Sequence, residues 1–298
     1  MVRLLAVVVS AVLLCGGGAS AAAPDCPDGG TVRFGVVPGE DTMTLGPIYD
    51  RIATLLAARL DCPVKVQFGT SYTATIEAMR AGRVEIGVYG AFSYVLAHQM
   101  AGAEAVAGYA NKAGQPSTYT ASIVTWPGSG ITTLKDIVGK SFAFSDPAST
   151  SGHLIPAYGL RKNGIDPDHD VRPMYTGTHT ASFEALRNHK VLVGEMNSTV
   201  ISAATVQGSY HPDDYARLWL SDPIPGGPFT VRGNLPAGFK ARLTEVLRTL
   251  DLSSLPEQDM KILGRAGSHG LVAVNDADFN GIRDVVHVLH IDLSKMNE

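Results

Sequence analysis

The chain has 298 residues, a formal charge of −4, 45% hydrophobic and 17% charged residues. That composition describes an ordered globular protein, long enough for two lobes with separate cores. It contains no basic run and no Arg-rich helix, which excludes a nucleic-acid binder, and a mildly acidic protein that captures an anion must use local donors.

The N-terminus reads as a secretory leader spanning residues 1–21. Arg3 is its basic region, Leu4 to Leu14 its apolar core, and Ala19-Ser20-Ala21 a small-x-small cleavage site. The core is too short for a membrane span. Leu13-Leu14-Cys15-Gly16 offers a competing lipoprotein reading, but Leu14 is bulky where a lipobox takes a small residue. The leader predicts export to the periplasm.

Val32 to Val37 reads as a strand, and Ile48, Ile52, Leu55, Leu56 and Leu60 line one helical face. Val64 to Phe68 is a second strand. Ser71 can cap a helix that buries Ile76 and Met79 and ends at Gly82. Val84 to Tyr89 is a third strand and Ala91 to Ala101 the next helix. This alternation predicts a mostly parallel sheet covered by helices. Cys26 and Cys62 each stand just before one of the first two strands. If those strands are parallel neighbours, their starting ends are adjacent, and an exported protein is expected to bridge the pair.

Tyr119 to Trp126 reads as a longer strand, followed by the turn Pro127-Gly128-Ser129-Gly130. A second α/β series then runs through strands Ser141 to Ser145, Asp170 to Tyr175 and Val191 to Gly194. Helices begin at His153, about Thr180 and Ser198. The Pro223-to-Pro228 cluster marks a return crossing, and the tail from Pro236 reads as helices packing on the first unit. The expected organisation is a first lobe over residues 24–122, a second over 123–226, and a return of 227–298 to the first.

The run Asp146-Pro147-Ala148-Ser149-Thr150-Ser151-Gly152-His153 carries the most chemistry. Three hydroxyls stand where a helix start presents unpaired N–H groups, which suits a small oxyanion. Gly152 allows a ligand close to the backbone, and Pro156 falls near the first turn, where its missing N–H costs little. Plain N-capping is the competing reading.

These segments resemble the phosphonate/phosphite-type periplasmic substrate-binding proteins of ABC transporters. The resemblance rests on Arg33-Phe34-Gly35-Val36-Val37-Pro38, on Tyr72 ahead of Glu77-Ala78-Met79-Arg80-Ala81-Gly82, and on Val88-Tyr89-Gly90-Ala91-Phe92-Ser93-Tyr94. It continues through Tyr119, the stretch Leu134 to Lys140, the Ser149-to-Gly152 run, Thr176-Gly177-Thr178-His179 and Trp219-Leu220-Ser221-Asp222-Pro223. It implies an α/β, two-lobed type II binding-protein fold with the ligand cleft at a hinge, an ABC permease as partner, no cofactor, and a monomer. It also implies an oxyanion held by Ser149, Thr150 and Ser151, with His179 as a further donor, Tyr72 and Tyr119 from the first lobe or hinge, and Asp222 as a contact. Tyr72 and Tyr119 could instead be ordinary half-buried aromatics, His179 a capping or surface histidine, and Asp222 a cap on the turn before Pro223. Two positions depart from the family pattern: Leu192 stands where an Asp is common, and Thr180 where an acid often follows the histidine. Glu195 and Asp222 are the acids left to hold a ligand amine, so a phosphonate, phosphite or phosphate-like ligand without an amine is expected.

The rival readings are a sensing module that docks on a membrane receptor or sensor kinase, and an exported enzyme. The second is weak: the chain has no Gly-x-Ser-x-Gly elbow, no His-Glu-x-x-His site and no P-loop, and His287 and His290 lack a third ligand for a metal.

Overall fold

The computed structural model describes residues 26, 27 and 30–293; the expected leader and Cys15 lie outside the described residues. The chain opens with β1 (Val32–Val36), α1 (Thr42–Leu60), β2 (Val64–Phe68), α2 (Tyr72–Arg80), β3 (Ile86–Val88), α3 (Ala91–Ala101) and β4 (Ala103–Tyr109). Asp41 caps α1 by accepting from Met43 N, and Ser71 caps α2 by accepting from Ala74 N. Next come β5 (Thr118–Tyr119), β6 (Ala121–Thr125), β7 (Ser141–Phe144), a π-helical turn (Thr150–Leu154), α4 (Ile155–Lys162) and β8 (Arg172–Tyr175). They are followed by α5 (His179–Arg187), β9 (Val193–Asn197), α6 (Ser198–Val206), β10 (Ala216–Leu220), β11 (Ile224–Pro225) and β12 (Pro228–Arg232). The tail holds α7 (Ala237–Arg248), α8 (Glu257–Ile262), β13 (Leu271–Ala273) and α9 (Asn280–Val288).

Two sheets result. The first has the order β13-β4-β12-β3-β1-β2 and the second β10-β6-β9-β7-β8. Strands β2, β1 and β3 are parallel, as are β9, β7 and β8. The expectation of a mostly parallel sheet needs correcting. In the first sheet β12 runs antiparallel to β3 and β4, and β13 antiparallel to β4; in the second, β6 is antiparallel to both neighbours. The reversal comes from the chain's return: after the second sheet it re-enters the first as β12, wedged between β3 and β4. Strand β4 had no counterpart in the sequence reading, because Ala103-Glu104-Ala105-Val106-Ala107-Gly108-Tyr109 is nearly free of β-branched residues.

The expected strand from Tyr119 to Trp126 is broken at Thr120. Its first part, β5, pairs antiparallel with β11, Tyr119 opposite Ile224. This two-stranded ribbon joins the outgoing and returning chains, and it is the natural hinge.

The first lobe packs Phe34, Ile52, Leu56, Phe229 and Leu243 into one core. The second covers both faces of its sheet, with Phe142, Leu160 and Val193 on one side and Phe183, Leu186 and Met196 on the other. Leu154 and Ile155 of the second lobe share a buried cluster with Phe92 and Tyr94 of α3, so the lobes are closed on each other. Cys26 and Cys62 form a disulfide, with Cα atoms 5.9 Å apart, beside the parallel β1–β2 pair.

Candidate functional site

The Ser149–Ser151 run does not start an α-helix directly. Pro156 has no N–H to return to the Gly152 carbonyl, and that carbonyl accepts instead from Ser145 N at 3.0 Å. Leu154 N and Ile155 N reach back five residues, to the carbonyls of Ser149 and Thr150. The resulting π-turn is a backbone form often found at functional sites. Gly152 has a different reason from the one expected. A Cβ there would lie 1.7 Å from Ser145 Oγ and 2.8 Å from His179 Cε1. Glycine is needed so that β7 and the imidazole close on the turn, not so that a ligand can approach.

All three hydroxyl residues are buried. Each hydroxyl oxygen is already used as an acceptor. Ser149 Oγ accepts from Gly152 N at 3.1 Å and lies 3.3 Å from His179 Nε2. Thr150 Oγ1 accepts from Phe92 N at 2.8 Å, and Ser151 Oγ accepts from Asn197 Nδ2 at 3.1 Å. A hydroxyl engaged as acceptor keeps its one O–H to donate, so the turn can present three donors to an oxyanion.

His179 is the first residue of α5, and its Nδ1 lies 2.8 Å from Glu195 Oε1 on β9. Burial alone would push the imidazole toward its neutral form. The combined attraction of Glu195, Glu40 and Asp146 outweighs it and raises His179 to about 9. At neutral pH the ring is therefore a cation, with Nε2 directed at Ser149. The sequence names His179 only as a further donor; the structure adds a held positive charge.

The first lobe closes the other side. The hydroxyl of buried Tyr72 faces Ser149, while that of Tyr119 in the hinge ribbon faces Ser151 and Thr150. Asp146 is buried and accepts from Tyr72 N at 3.3 Å and Ala148 N at 2.8 Å. His179 N donates to Gly39 O at 2.8 Å, and Asp41 N to Thr180 Oγ1 at 3.1 Å. Thr180 Oγ1 in turn donates to Glu40 Oε2 at 2.9 Å. Burial raises the Glu40 carboxyl to about 7, against the opposing pull of His179.

The structure thus brings together Ser149, Thr150, Ser151, His179, Tyr72 and Tyr119. Asp222 does not join them: it is exposed and lines a separate surface groove with Trp219 and Tyr158. Its expected contact with the ligand has no support from this placement. The hinge ribbon turns there, and the Ser221 hydroxyl is used by Ala121 N and Asp222 O. Glu40, Asn197 and the N-terminus of α3 were missed. Glu40 lies in a loop with no motif, and the strand expected to end at Gly194 runs on to Asn197. A cavity of about 150 Å³ opens beside the turn, lined by Glu40, Tyr49, Gly90, Tyr109, Thr199 and Arg265. Among the described residues no group of three or more His, Cys, Asp or Glu could hold a metal.

Two α/β lobes joined at a ribbon hinge and closed over buried donors define a type II periplasmic binding protein. Residues 34–279 match the family model described as ABC transporter, phosphonate, periplasmic substrate-binding protein, and the chain belongs to that family. It is 27% identical over 275 residues to the phosphate-import protein PhnD of Mycolicibacterium smegmatis, covering 87% of this chain and 85% of that one. It is also 27% identical to the phosphonates-binding periplasmic protein of Escherichia coli, over 85% of this chain and 75% of that protein. Among solved structures, a binding component of an ABC phosphonate transporter from Pseudomonas aeruginosa superposes with a TM-score of 0.75 at 25% identity, covering 86% and 85% of the two chains. PhnD1 of Prochlorococcus marinus, solved with methylphosphonate, shares the fold with a TM-score of 0.76 at 18% identity, covering 88% and 98%. The protein is a solute-binding component of an ABC transport system, with a small-molecule ligand and a permease as partner, and not an enzyme. Its relatives place it in the periplasm.

Proposed function

We propose that the protein acts as a monomer, exported by the leader at residues 1–21. In this reading it closes its lobes on a phosphate, phosphite or alkylphosphonate ion at Ser149, Thr150 and Ser151. The observation that carries this reading is that all three hydroxyls already accept from a protein N–H, which leaves each O–H to donate, beside a cationic His179. Donors already oriented and dehydrated lose little freedom when an oxyanion arrives. Tyr72 and Tyr119 complete the cage from the first lobe and the hinge. The ligand carries no distal amine in this reading, because Glu40, the one carboxylate lining the adjoining cavity, accepts from Thr180 and is held protonated up to about pH 7 by burial, and Asp222 faces solvent. An unpaired buried ammonium would cost several kcal/mol.

A thermal-shift panel of phosphate, phosphite, methylphosphonate, aminoethylphosphonate and a sulfonate tests the reading, since a tight ligand raises the melting point. Phosphorus oxyanions without an amine should give the largest shifts. A sulfonate preference, or aminoethylphosphonate binding at least about tenfold tighter than methylphosphonate, would overturn it.

A further inference from the structure

The cavity beside the Ser149–Ser151 turn ends in a corner where three buried polar atoms have no partner. Arg265 follows α8 and lines this cavity with Tyr109 and Tyr49. Its Nη1 donates to Gly264 O at 3.1 Å, and its guanidinium lies 5.6 Å from the Tyr109 ring centroid. Its buried Nε has no hydrogen-bond partner, and no ion pair to a carboxylate of the described residues is formed. The buried hydroxyls of Tyr109 and Ser117 are also unsatisfied. Tyr109 lies close to Tyr49, but without a hydrogen bond of standard geometry. Ser117 belongs to the same corner, because the space a Gly226 Cβ would take lies 2.8 Å from Ser117 Oγ and 3.5 Å from Arg265 Nη2. Burial lowers the guanidinium from its ordinary value, yet arginine stays charged at any physiological pH.

A half-buried cation without a counter-charge, whose Nε is sealed from solvent and unpaired, is costly, since buried polar groups are normally paired. The cavity touches the turn directly: Gly90 lines it, and a Cβ at Gly90 would lie 2.9 Å from Thr150 Oγ1. The charge of Arg265 also reaches Tyr119, whose hydroxyl faces Ser151 and Thr150.

Resting on the oxyanion reading above, we propose that Arg265, with the Tyr109 and Ser117 hydroxyls, reads a second anionic group at the far end of the ligand. The ligand class is then a short phosphonocarboxylate: the phosphonyl group sits at the turn and the carboxylate on the guanidinium, with a few methylene groups between the tyrosine rings. Arginine suits this task because its planar fork matches a carboxylate in two parallel hydrogen bonds. A simple phosphate or alkylphosphonate uses only the turn and leaves the corner unfilled.

Calorimetry with methylphosphonate, propylphosphonate, 3-phosphonopropionate and 3-aminopropylphosphonate tests this on the full mature chain. The wild type should bind 3-phosphonopropionate at least tenfold tighter than propylphosphonate, and the aminated ligand weakest. Arg265→Met should abolish the carboxylate preference, weakening 3-phosphonopropionate at least about tenfold more than methylphosphonate; Arg265→Lys should keep part of it. No preference in the wild type, a preference that survives Arg265→Met, or an equal loss for methylphosphonate in that variant would overturn the proposal. If methylphosphonate binds and the carboxylate gains nothing, only this inference fails. If no phosphorus ligand binds at all, the oxyanion reading fails with it. The wild-type ligand comparison does not depend on either variant folding.

Discussion

Each lobe buries a glutamate completely, and the two are treated differently. Glu85, in the first lobe, is met by Arg33 and Arg232, and Arg33 N donates to its Oε2 at 2.7 Å. Both carboxylate oxygens are satisfied, and both arginines keep access to solvent. Glu195, in the second lobe, has one partner, His179, and its Oε2 is unsatisfied. A buried charge with complete pairing belongs to the architecture. One with a single titratable partner and an unpaired oxygen leaves hydrogen-bonding capacity over for a site. The first lobe is the braced frame, with its disulfide and its closed ion-pair network. The second holds the polar chemistry: three hydroxyls, an imidazolium and an incompletely paired carboxylate.

The largest expected effects strip the two buried glutamates of their partners. Replacing both Arg33 and Arg232 by Met leaves Glu85 buried and alone, and should cost about 3–5 kcal/mol of stability. His179→Leu leaves Glu195 alone at a similar cost of about 3–5 kcal/mol. Urea titration measures both. The comparison predicts that the arginine pair changes stability while anion affinity is kept, and that the histidine change removes both. If the arginine variant also loses its ligand, the division of labour is wrong. The His179 pair also has a pH sign. Its folded pKa of about 9 lies above the usual 6.5, so its stabilisation is full below pH 6.5 and disappears as pH rises through about 9.

The Cys26–Cys62 bridge comes next. Reduction, or replacement of both by Ala, should cost about 2–4 kcal/mol, because the bridge restricts the unfolded chain. Calorimetric melting should show the loss, with ligand affinity below the transition unchanged. An equal fall in affinity would mean that the frame and the site are coupled.

The smallest effect concerns Glu40. Burial keeps its carboxyl protonated up to about pH 7. As pH rises through 7 it gains a negative charge near the oxyanion site, and anion affinity should weaken. His179 stays charged until about 9, so it does not contribute in this window. The ratio of methylphosphonate affinities for wild type and Glu40→Gln, measured from pH 6 to 8, removes the ligand's own ionisation. It should move a fewfold in favour of the variant at high pH. A flat ratio would show that Glu40 does not titrate at the site.

Much of this was legible in the sequence because local patterns carried it. Val64 to Phe68 and Ala91 to Ala101 match their observed elements, and Ser71 caps α2 as its position implied. The hydroxyl run stood out because three donors together exceed what capping needs. The elements that were lost depend on the returning chain. Strand β4 is flanked by β12 and β13 from far along the sequence, and burial on both faces compensates for its alanine-rich composition. Glu195 showed only as one of two acids left to hold a ligand amine. What gives it meaning is a histidine from another element at 2.8 Å. Glu40 and Arg265 had no signal, since each is defined by its surroundings and not by its neighbours in the chain. Asp222 looked equivalent to Glu195 on paper, and burial separates them.

Calorimetry of methylphosphonate and phosphate binding to wild type, Ser149→Ala, Thr150→Ala and Ser151→Ala tests the central claim most directly. Each lost hydrogen bond to a charged ligand should cost about 1.5–3 kcal/mol of binding, read on folded protein, since each variant also lowers the melting point of the free protein by orphaning the buried N–H that its hydroxyl accepts from. Affinity unchanged in all three variants would contradict the account, because the oxyanion would then be held somewhere other than this turn.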